Sequence, residues 1–303
     1  MSTNEVPIDR SSSIRLGAIF PQTEMNTNPR EIARYAVAVE AMGFNHLLAF
    51  DHVVGGSLDT YPNLAGRYTS ESLFHEIFVL FGFLAAVTDN LELTTGVVIL
   101  PQRQTVLVAK QAAEVDVLSE GRLRLGLGIG WNEIEFTALN ENFRNRASRF
   151  EEQIALMQLL WSKPVVDFDG KYHTVHRAGI NPLPTKRSIP LWIGGTAEPA
   201  VRRAARLVDG FISSDLIGPQ QEQILRWLQD ELARNDRSFN DFGLDGRINL
   251  PSGNEDDWRQ QFEAWQKAGA SHISFYTKDG GLEGVDAHLE LLDRAQRAVE
   301  PLR

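Results

Sequence analysis

An aspartate and a histidine, Asp51 and His52, stand side by side directly after the apolar run at residues 44–50. A short apolar run of this kind is typical of a buried β-strand, and enzymes built on parallel strands carry their catalytic groups just past the strand ends. Because an imidazole can give and take a proton near neutral pH, His52 is a candidate acid–base catalyst. The alternative is that Asp51 caps a turn and that His52 only makes a structural hydrogen bond.

A second stretch, residues 119–136, combines a turn, an alternating strand pattern and three evenly spaced glycines in the sequence SEGRLRLGLGIGWNEIEF. Gly126, Gly128 and Gly130 leave one side of the strand end without side chains, so that a flat ring or a phosphate could approach the backbone. The alternative is that the glycines only relieve crowding between strands. Trp131 stands where the dinucleotide-binding fingerprint requires its third glycine, which excludes that fold.

The residues after this strand have the pattern of a helix start. Asn132 suits the N-cap position, and Glu135 then falls at the third helical position, which predicts a variant of the capping box. Helix N-termini favour anions. Glu133, in the first turn, is either a proton carrier or a residue that stabilises the helix dipole. Trp131 either walls a ligand site or packs in the core.

A third glycine-rich turn, Gly194-Gly195-Thr196, lies between an apolar run at residues 190–193 and a helix predicted from about residue 199. Its backbone N–H groups could hold a phosphate at the helix start, or the glycines could serve only a tight turn. The histidines show no spacing typical of metal ligands, so no metal is predicted.

The elements that must position these residues alternate between strand and helix. Eight strand–helix units between residues 14 and 303 predict an α/β fold, a TIM (β/α)8 barrel in a single domain. Among these units, a helix is predicted at about residues 72–87 and a continuous strand at residues 91–100. A long loop at 53–70 and an inserted hairpin at 165–175 are expected to line the mouth of the barrel. Residues 1–13 are polar and are predicted to form a frayed tail.

The composition limits the possible partners. Forty acidic and thirty basic residues give a formal net charge of −10, which disfavours nucleic acids and anionic membranes. The chain has no cysteine, and no apolar run reaches the length of a membrane span. We therefore expect a soluble cytoplasmic protein that acts on a small molecule.

Three segments resemble the bacterial luciferase-like monooxygenases, and within them the branch that uses the deazaflavin coenzyme F420. They read FNHLLAFDHV at 44–53, LTTGVVILPQRQTVLVAKQAAEVDVLSEGRLRLGLGIGWNEIEF at 93–136, and PLWIGGTAEPAVRRAARLVDGFISS at 190–214. The resemblance implies a luciferase-like TIM barrel that holds a flavin or deazaflavin at the carboxyl ends of its strands, commonly as a homodimer.

The resemblance also assigns residues to the cofactor. It places His52 beside the reactive ring, and it implies a non-prolyl cis peptide between Gly96 and Val97 beneath that ring. We expect Asp51 to bond the ring edge or a backbone amide and not to orient His52, because neighbours on an extended strand end point in opposite directions. The residues expected to contact the cofactor are Asp51, Gly96, Val97, Gly128, Gly130, Trp131, Asn132, Gly194, Gly195 and Thr196, with the phosphate near the last three.

Three functions follow from the resemblance. The first is an oxidoreductase that transfers a hydride between coenzyme F420 and a small organic substrate, with His52 and Glu133 as catalytic residues. The second is a monooxygenase that uses reduced FMN and oxygen. FMN-type relatives tend to carry an arginine where Ile129 stands, which favours F420. The third is a flavin-binding barrel without turnover, against which the Asp51–His52 pair argues.

Overall fold

Eight parallel strands close into a barrel at the centre of the protein. The structure, a computed structural model, describes residues 14–65, 67–214 and 217–303, and the predicted tail at 1–13 lies outside them. The described residues form the strands of this barrel and the two strands β6 and β7 of a separate hairpin. In chain order all of these strands are Arg15–Ile19 (β1), His46–Ala49 (β2), Glu92–Thr95 (β3), Val98–Ile99 (β4), Leu123–Gly128 (β5), Val166–Asp169 (β6), Thr174–Ala178 (β7), Leu191–Gly194 (β8), Gly210–Ile212 (β9), Gly243–Asn249 (β10) and His272–Tyr276 (β11).

The pairing of these strands establishes the closure. The sheet runs β3-β2-β1-β11-β10-β9-β8-β5-β4, and β3 also pairs with β5. β4 continues the line of β3, so the ring has eight positions, with every pair parallel. The predicted TIM barrel is confirmed. Parallel strands of a barrel end at the same edge, which brings the residues that follow β2, β4, β5 and β8 to one mouth.

Helices pack around the outside of the barrel. They are Pro29–Ala41 (α1), Ile77–Ala85 (α2), Thr105–Leu118 (α3), Glu133–Ala138 (α4), Arg146–Ser162 (α5), Glu198–Leu207 (α6), Pro219–Arg234 (α7), Glu255–Lys267 (α8) and Gly284–Val299 (α9). The helix predicted from about residue 72 is wrong at its start. The side chain of Glu76 accepts the N–H of Val79 and begins α2 there, while Ser72 accepts a hydrogen bond from the N–H of Thr69 in the preceding loop.

The strand predicted at 91–100 is interrupted at its centre. β3 ends at Thr95 and β4 begins at Val98, and the peptide between Gly96 and Val97 is cis, as the resemblance implied. Glycine is sterically required at this position because a Cβ on Gly96 would lie 2.3 Å from Cδ2 of Leu48. The backbone at this point is therefore set by its packing against β2.

The inserted hairpin is present and packs against α3 and α5. Its strands β6 and β7 pair antiparallel, and β7 extends to Ala178, past the predicted end of the hairpin at residue 175. The imidazole of His173 is 2.6 Å from the hydroxyl of Thr105 at the start of α3 and 2.8 Å from the carboxylate of Glu152 on α5. A groove of about 790 Å³ lies between the hairpin, α3 and α5. Its lining includes Arg103, which binds Asp51 next to His52, but it shares no lining residue with the cavity at His52 described below. The expected position of the hairpin at the mouth stays a prediction.

The interior of the barrel has an apolar upper layer and an ionic lower layer. Ile19, Leu48, Trp192 and Ile212 form the upper layer, against which Phe50, Val97 and Tyr276 pack. Apolar side chains in this layer supply a water-excluding floor beneath the mouth.

In the lower layer a buried arginine joins the buried carboxylate of Asp245 to the partly exposed carboxylate of Glu92. Arg124 donates from Nε to Glu92 at 2.7 Å and from Nη1 to Asp245 at 3.1 Å, and its guanidinium stacks 4.3 Å from the ring centre of Trp192. His46 lies 3.4 Å from Asp245. Burial opposes ionisation of Glu92, but Arg124 and its neighbours outweigh it and lower the pKa of Glu92 to about 2.

Among the described residues, none of the helices combines the length and the apolar composition needed to cross a bilayer.

Candidate active site

His52 lies just past β2 and is held by a carboxylate from another part of the barrel. Its Nδ1 is 3.2 and 3.3 Å from Oε1 and Oε2 of Glu135, which belongs to α4. The side chain of Glu135 is 1% exposed and that of His52 is 12% exposed. Because a carboxylate only accepts, Nδ1 carries the proton that is donated to Glu135. Nε2 is then the ring nitrogen available to exchange a proton.

Glu135 also binds the loop that follows His52. Its Oε1 accepts the N–H groups of Val53 at 2.9 Å and Val54 at 3.3 Å, and its Oε2 accepts Nε2 of Gln102 at 3.2 Å. Burial disfavours the charge of Glu135, but the hydrogen bonds from His52, Val53 and Gln102 outweigh it and lower its pKa. The carboxylate is thus ionised and fixed in place.

The capping box predicted for Glu135 is wrong. Asn132 does cap α4, since its side chain accepts the N–H of Ile134 at 3.3 Å. The carboxylate of Glu135 points instead towards His52, and sequence reasoning missed this role. No local signal marked this role, because glutamates are rarely buried and the partner His52 lies 83 residues earlier in the chain.

The other predicted catalytic residue, Glu133, is exposed in the first turn of α4. The structure places Glu135 at His52, and the catalytic role of Glu133 stays a prediction.

Aromatic rings surround the open side of His52. The ring centres of Tyr68, Phe74 and Trp131 lie 4.7, 4.9 and 6.1 Å from that of the imidazole. Tyr68 and Phe74 come from the loop at 53–70 and the segment after it, and both line a cavity of about 130 Å³ next to His52. Trp131 is 43% exposed, with the guanidinium of Arg67 4.8 Å above its ring, so it forms a wall at the rim and not part of the core.

Asp51 turns away from His52 and is buried. Its Oδ1 accepts Nη2 of Arg103 at 2.7 Å, and its Oδ2 accepts the N–H of Ile99 at 3.3 Å. The prediction that Asp51 would not orient His52 is confirmed, and of the two partners expected for it, the ring edge or a backbone amide, the structure shows the amide of Ile99. Its contact with the cofactor stays a prediction. Burial raises the pKa of the Asp51 carboxyl while Arg103 works in the opposite direction. Asp51 therefore ties the end of β2 to β4, directly beyond the cis peptide.

Gly96 and Val97 form the floor of the mouth. Both are half-buried, and Val97 packs on the apolar upper layer of the barrel. Its methyl groups also occupy the space that side chains would need at two glycines: a Cβ on Gly128 would lie 2.5 Å from Cγ2, and one on Gly194 would lie 2.9 Å from Cγ1. These contacts support the crowding explanation for the glycines, whereas cofactor contact at Gly128 stays a prediction.

Gly130 has a steric requirement of its own. Its φ is +75°, and a Cβ there would lie 2.6 Å from Cγ2 of Ile99. The backbone therefore turns sharply just before Trp131 and Asn132, and the predicted cofactor contacts of these residues stay predictions.

The turn after β8 leaves a helix start open. α6 has Ala197 at its N-cap position, with no side chain bonded to the first-turn N–H groups. Gly195 has φ of +149°, and Thr196 is exposed. Pro199 has no N–H and the N–H of Ala200 bonds the carbonyl of Ala197, so the N–H groups of the glycine turn are the donors that fit a phosphate here, while the carboxylate of Glu198 in the first turn works against an anion.

A closed parallel barrel with a carboxylate–imidazole pair, an apolar floor and an open helix start at its mouth has the layout of a TIM-barrel enzyme. The chain belongs to the luciferase-like monooxygenase family, which it matches over residues 11–297.

Among the relatives are proteins named as F420-dependent dehydrogenases. The chain is 30% identical over 263 residues to an F420-dependent glucose-6-phosphate dehydrogenase of Beutenbergia cavernae, covering 85% of this chain and 74% of the relative. A protein of the same name from Intrasporangium calvum is 29% identical over 223 residues, covering 70% of this chain and 63% of the relative. The chain therefore spans just under two thirds of some of its relatives.

The solved structures are similar in fold. The monooxygenase RslO1 from Streptomyces bottropensis superposes with a TM-score of 0.79 at 16% identity, over 95% of this chain and 99% of that one. An F420-dependent secondary alcohol dehydrogenase in complex with an F420–acetone adduct superposes with a TM-score of 0.76 at 14% identity, over 95% of this chain and 99% of that one.

Proposed function

We propose that this protein is an oxidoreductase that transfers a hydride between coenzyme F420 and a small organic substrate. The observation that carries the proposal is the buried Glu135–His52 pair beside an apolar floor at Gly96–Val97. Two relatives, at 30% and 29% identity, are named as F420-dependent dehydrogenases. Ile129, in place of the arginine that the FMN-type relatives tend to carry, disfavours the monooxygenase alternative.

The residues present fit such a cofactor. Gly96 and Val97 would support the ring, and the open start of α6 at Gly195 and Thr196 would hold the phosphate. Because the chain carries a formal charge of −10, an anionic cofactor must be held by local donors of this kind. When bound, F420 supplies the ring atom that donates or accepts the hydride.

The protein's own residues would manage the proton that accompanies the hydride. Glu135 fixes Nδ1–H of His52 and stabilises the protonated imidazole. Nε2 then gives or takes a proton at the substrate oxygen. Tyr68, Phe74 and Trp131 limit the access of water to this nitrogen.

Cofactor affinity tests this function. We expect F420 to bind the purified protein at least about ten-fold more tightly than FMN, a preference of about 1.4 kcal/mol. Equilibrium titration of the same preparation with each cofactor measures it. Tighter binding of FMN would transfer the assignment to the monooxygenase alternative, and no binding of either cofactor would contradict the proposed function and both of its alternatives.

We also propose that the protein is a homodimer, formed through α2 and α3. These neighbouring helices carry exposed apolar side chains, of which Val79 is 72% and Leu118 is 61% exposed, together with Phe83 and Leu107. Contiguous exposed apolar surface of this kind marks interaction sites.

A charge placed on this face should separate the dimer. We expect light scattering to give a dimer mass for the wild-type protein and a monomer mass for Val79→Glu/Phe83→Glu. The control is Val37→Glu, at an equally apolar exposed position on α1, which should stay dimeric. A monomeric wild-type protein would contradict the assignment.

We make two further proposals, on the domain organisation and on the localisation of the protein. We propose that residues 14–303 form one domain, which limited proteolysis would test by the survival of a single fragment. Cytoplasmic localisation is supported by the absence of cysteine and is tested by cell fractionation.

A further inference from the structure

A threonine, a histidine and a glutamate form a hydrogen-bonded chain at the groove between the hairpin, α3 and α5. Oγ1 of Thr105, the first residue of α3, is 2.6 Å from Nε2 of His173. Nδ1 of His173 is 2.8 Å from Oε1 of Glu152 on α5. A hydroxyl, an imidazole and a carboxylate in this order, each within hydrogen-bond distance of the next, are the arrangement that activates a nucleophile in covalent catalysis.

The partners of these groups determine where the protons lie. A carboxylate only accepts, so Nδ1 of His173 carries a hydrogen and Nε2 is the basic nitrogen. Nε2 of Gln153 contacts the carbonyl oxygens of Leu100 and Arg103 at 3.2 and 3.3 Å, as a donor must, and it also donates to Oγ1 of Thr105 at 2.9 Å. The hydroxyl hydrogen of Thr105 therefore points at Nε2 of His173.

Glu152 is held in place by three donors. Besides the imidazole of His173, its Oε1 accepts the N–H of Tyr172 and its Oε2 accepts the N–H of Lys171, each at 2.8 Å. Burial opposes ionisation of Glu152, but the hydrogen bonds from these three residues outweigh it and lower its pKa. The ionised carboxylate keeps the imidazole in one orientation and stabilises it when it takes up a proton.

The groove gives a small molecule access to this chain of groups. Thr105 and His173 both line it, together with the apolar side chains of Val106, Leu107 and Ile180. Its volume of about 790 Å³ lies in the range of sites that bind small molecules. Leu107 also belongs to the apolar face proposed for the dimer, so the groove borders that face. The lining suits a molecule with an apolar part.

The start of α3 supplies donors for the negative charge that develops on an attacked carbonyl oxygen. Its N-cap residue, Gln104, makes no side-chain bond to the first turn, and the first backbone bond of the helix joins the N–H of Val108 to the carbonyl of Gln104. Within the ranges that the structure describes, no acceptor is bonded to the N–H groups of Val106 and Leu107. In hydrolases the N–H of the residue after the nucleophile, which is Val106 here, binds this oxygen.

We propose that this groove is a second active site, in which Thr105 is the nucleophile of a hydrolase for small carboxylic esters with apolar acyl chains. Oγ1 of Thr105 attacks the carbonyl carbon, its proton passes to Nε2 of His173, and the carbonyl oxygen becomes an oxyanion at the N–H groups of Val106 and Leu107. When the carbonyl re-forms, the bond to the alcohol oxygen breaks, and the alcohol leaves with the proton from His173. The acyl group stays on Thr105 as an ester.

Water completes the cycle. It attacks the acyl carbon while His173 takes one of its protons, and the bond to Oγ1 of Thr105 then breaks as that proton returns to Oγ1. Oε1 of Gln153, which is buried and has no hydrogen-bond partner among the described residues, can accept the other hydrogen of this water. The net reaction converts an ester and water into a carboxylic acid and an alcohol. It consumes no cofactor, so the inference is independent of the function proposed for F420.

Hydrolysis of p-nitrophenyl butyrate in the absence of F420 tests the activity. We expect the wild-type protein to hydrolyse this ester, and Thr105→Ala and His173→Gln to lower the rate by at least about 10²-fold. Thr105→Ser, which keeps a hydroxyl, should stay within about ten-fold of wild type. The matched control is Thr174→Ala, which changes an exposed threonine next to His173 and should hydrolyse the ester at the wild-type rate.

An alkyl fluorophosphonate separates catalysis at Thr105 from slow reactions of surface groups. It transfers its phosphonyl group to an activated hydroxyl and releases fluoride. Peptide mass spectrometry should find the phosphonyl group on Thr105 in the wild-type protein and on Ser in Thr105→Ser, and no label at this position in Thr105→Ala. No hydrolysis by the wild-type protein, equal hydrolysis by wild type and Thr105→Ala, or labelling only at other residues would overturn the inference.

A purely structural role for these residues predicts a different pattern. If the hydrogen bonds only tie the hairpin to the barrel, Thr105→Ala and His173→Gln would lower the free energy of unfolding, and Thr105 of the wild-type protein would stay unlabelled. Thr105→Val, which fills the site without a hydroxyl, replaces Thr105→Ala if the near-ultraviolet circular dichroism of that variant departs from wild type. If F420 does not bind but ester hydrolysis depends on Thr105, the proposed cofactor fails while the second active site stands.

Discussion

His52→Ala is expected to lower turnover by about 10²- to 10⁴-fold, the usual contribution of a positioned acid–base group. Nε2 of His52 is the nitrogen left open by the Glu135 hydrogen bond, and it lies inside the aromatic wall at the mouth. Cofactor affinity should hardly change, because the floor and the helix start that hold the cofactor are untouched. Steady-state rates with any substrate that the wild-type protein turns over, together with the F420 dissociation constant, measure both quantities.

The companion variants separate catalysis from packing. Glu135→Gln should lower turnover by about ten- to a hundred-fold, since an amide orients Nδ1–H but does not stabilise the imidazolium. The double variant His52→Ala/Glu135→Gln should have a turnover no lower than that of His52→Ala alone, because the two residues act as one unit. His176→Ala, on the exposed hairpin, is the matched control. Unchanged turnover in folded His52→Ala would remove its catalytic role.

Arg124→Met is expected to reduce the free energy of unfolding by about 3–5 kcal/mol, the usual result of removing one partner from a buried ion pair. The change removes the cation that Glu92 and Asp245 share, which leaves Glu92 with Arg15 at 3.1 Å and Asp245 with the hydroxyl of Ser274 at 2.9 Å and with His46 at 3.4 Å. Urea denaturation followed by tryptophan fluorescence measures the loss. Arg226→Met removes an exposed pair at 3.9 Å and should cost less than about 1 kcal/mol. A comparable loss in both variants would contradict the role given to the ionic layer.

The difference in the free energy of unfolding between wild type and Arg124→Met should depend on pH in a defined direction. The folded-state pKa of Glu92 is lowered from 4.5 to about 2, so its contribution to stability is complete above about pH 4.5 and is lost as the pH falls through 2. The stability difference should therefore be largest near pH 7 and narrow below about pH 4. A gap that is constant from pH 7 to 3 would show that the carboxylates do not carry the effect.

Much of the barrel could be predicted from local patterns. Apolar runs and glycine turns predict the strands, and Asn28-Pro29 at the start of α1 predicts a capped helix, which the structure confirms. The cis peptide at Gly96–Val97 was implied only by the resemblance, because TTGVVIL has the pattern of one continuous strand. Residues 72–76 were predicted as helix because Glu76 could not be recognised as the cap of α2 among similar polar residues.

The site was harder to predict because its partners are distant in sequence. Glu135 and His52 are 83 residues apart, so only closure of the barrel brings them together. The same holds for Arg124 and Asp245, which are 121 residues apart. Residues such as His52, whose position at a strand end has a local signature, were found, whereas residues defined by long-range contacts were not.

The position of F420 in a crystal structure of the complex tests the central claim most directly. We expect the ring in van der Waals contact with Gly96 and Val97 and beside Nε2 of His52, with the phosphate at the N–H groups of Gly195 and Thr196. A cofactor bound in the groove between the hairpin, α3 and α5, or with its ring more than about 6 Å from His52 and so beyond the reach of one bridging water, would contradict it.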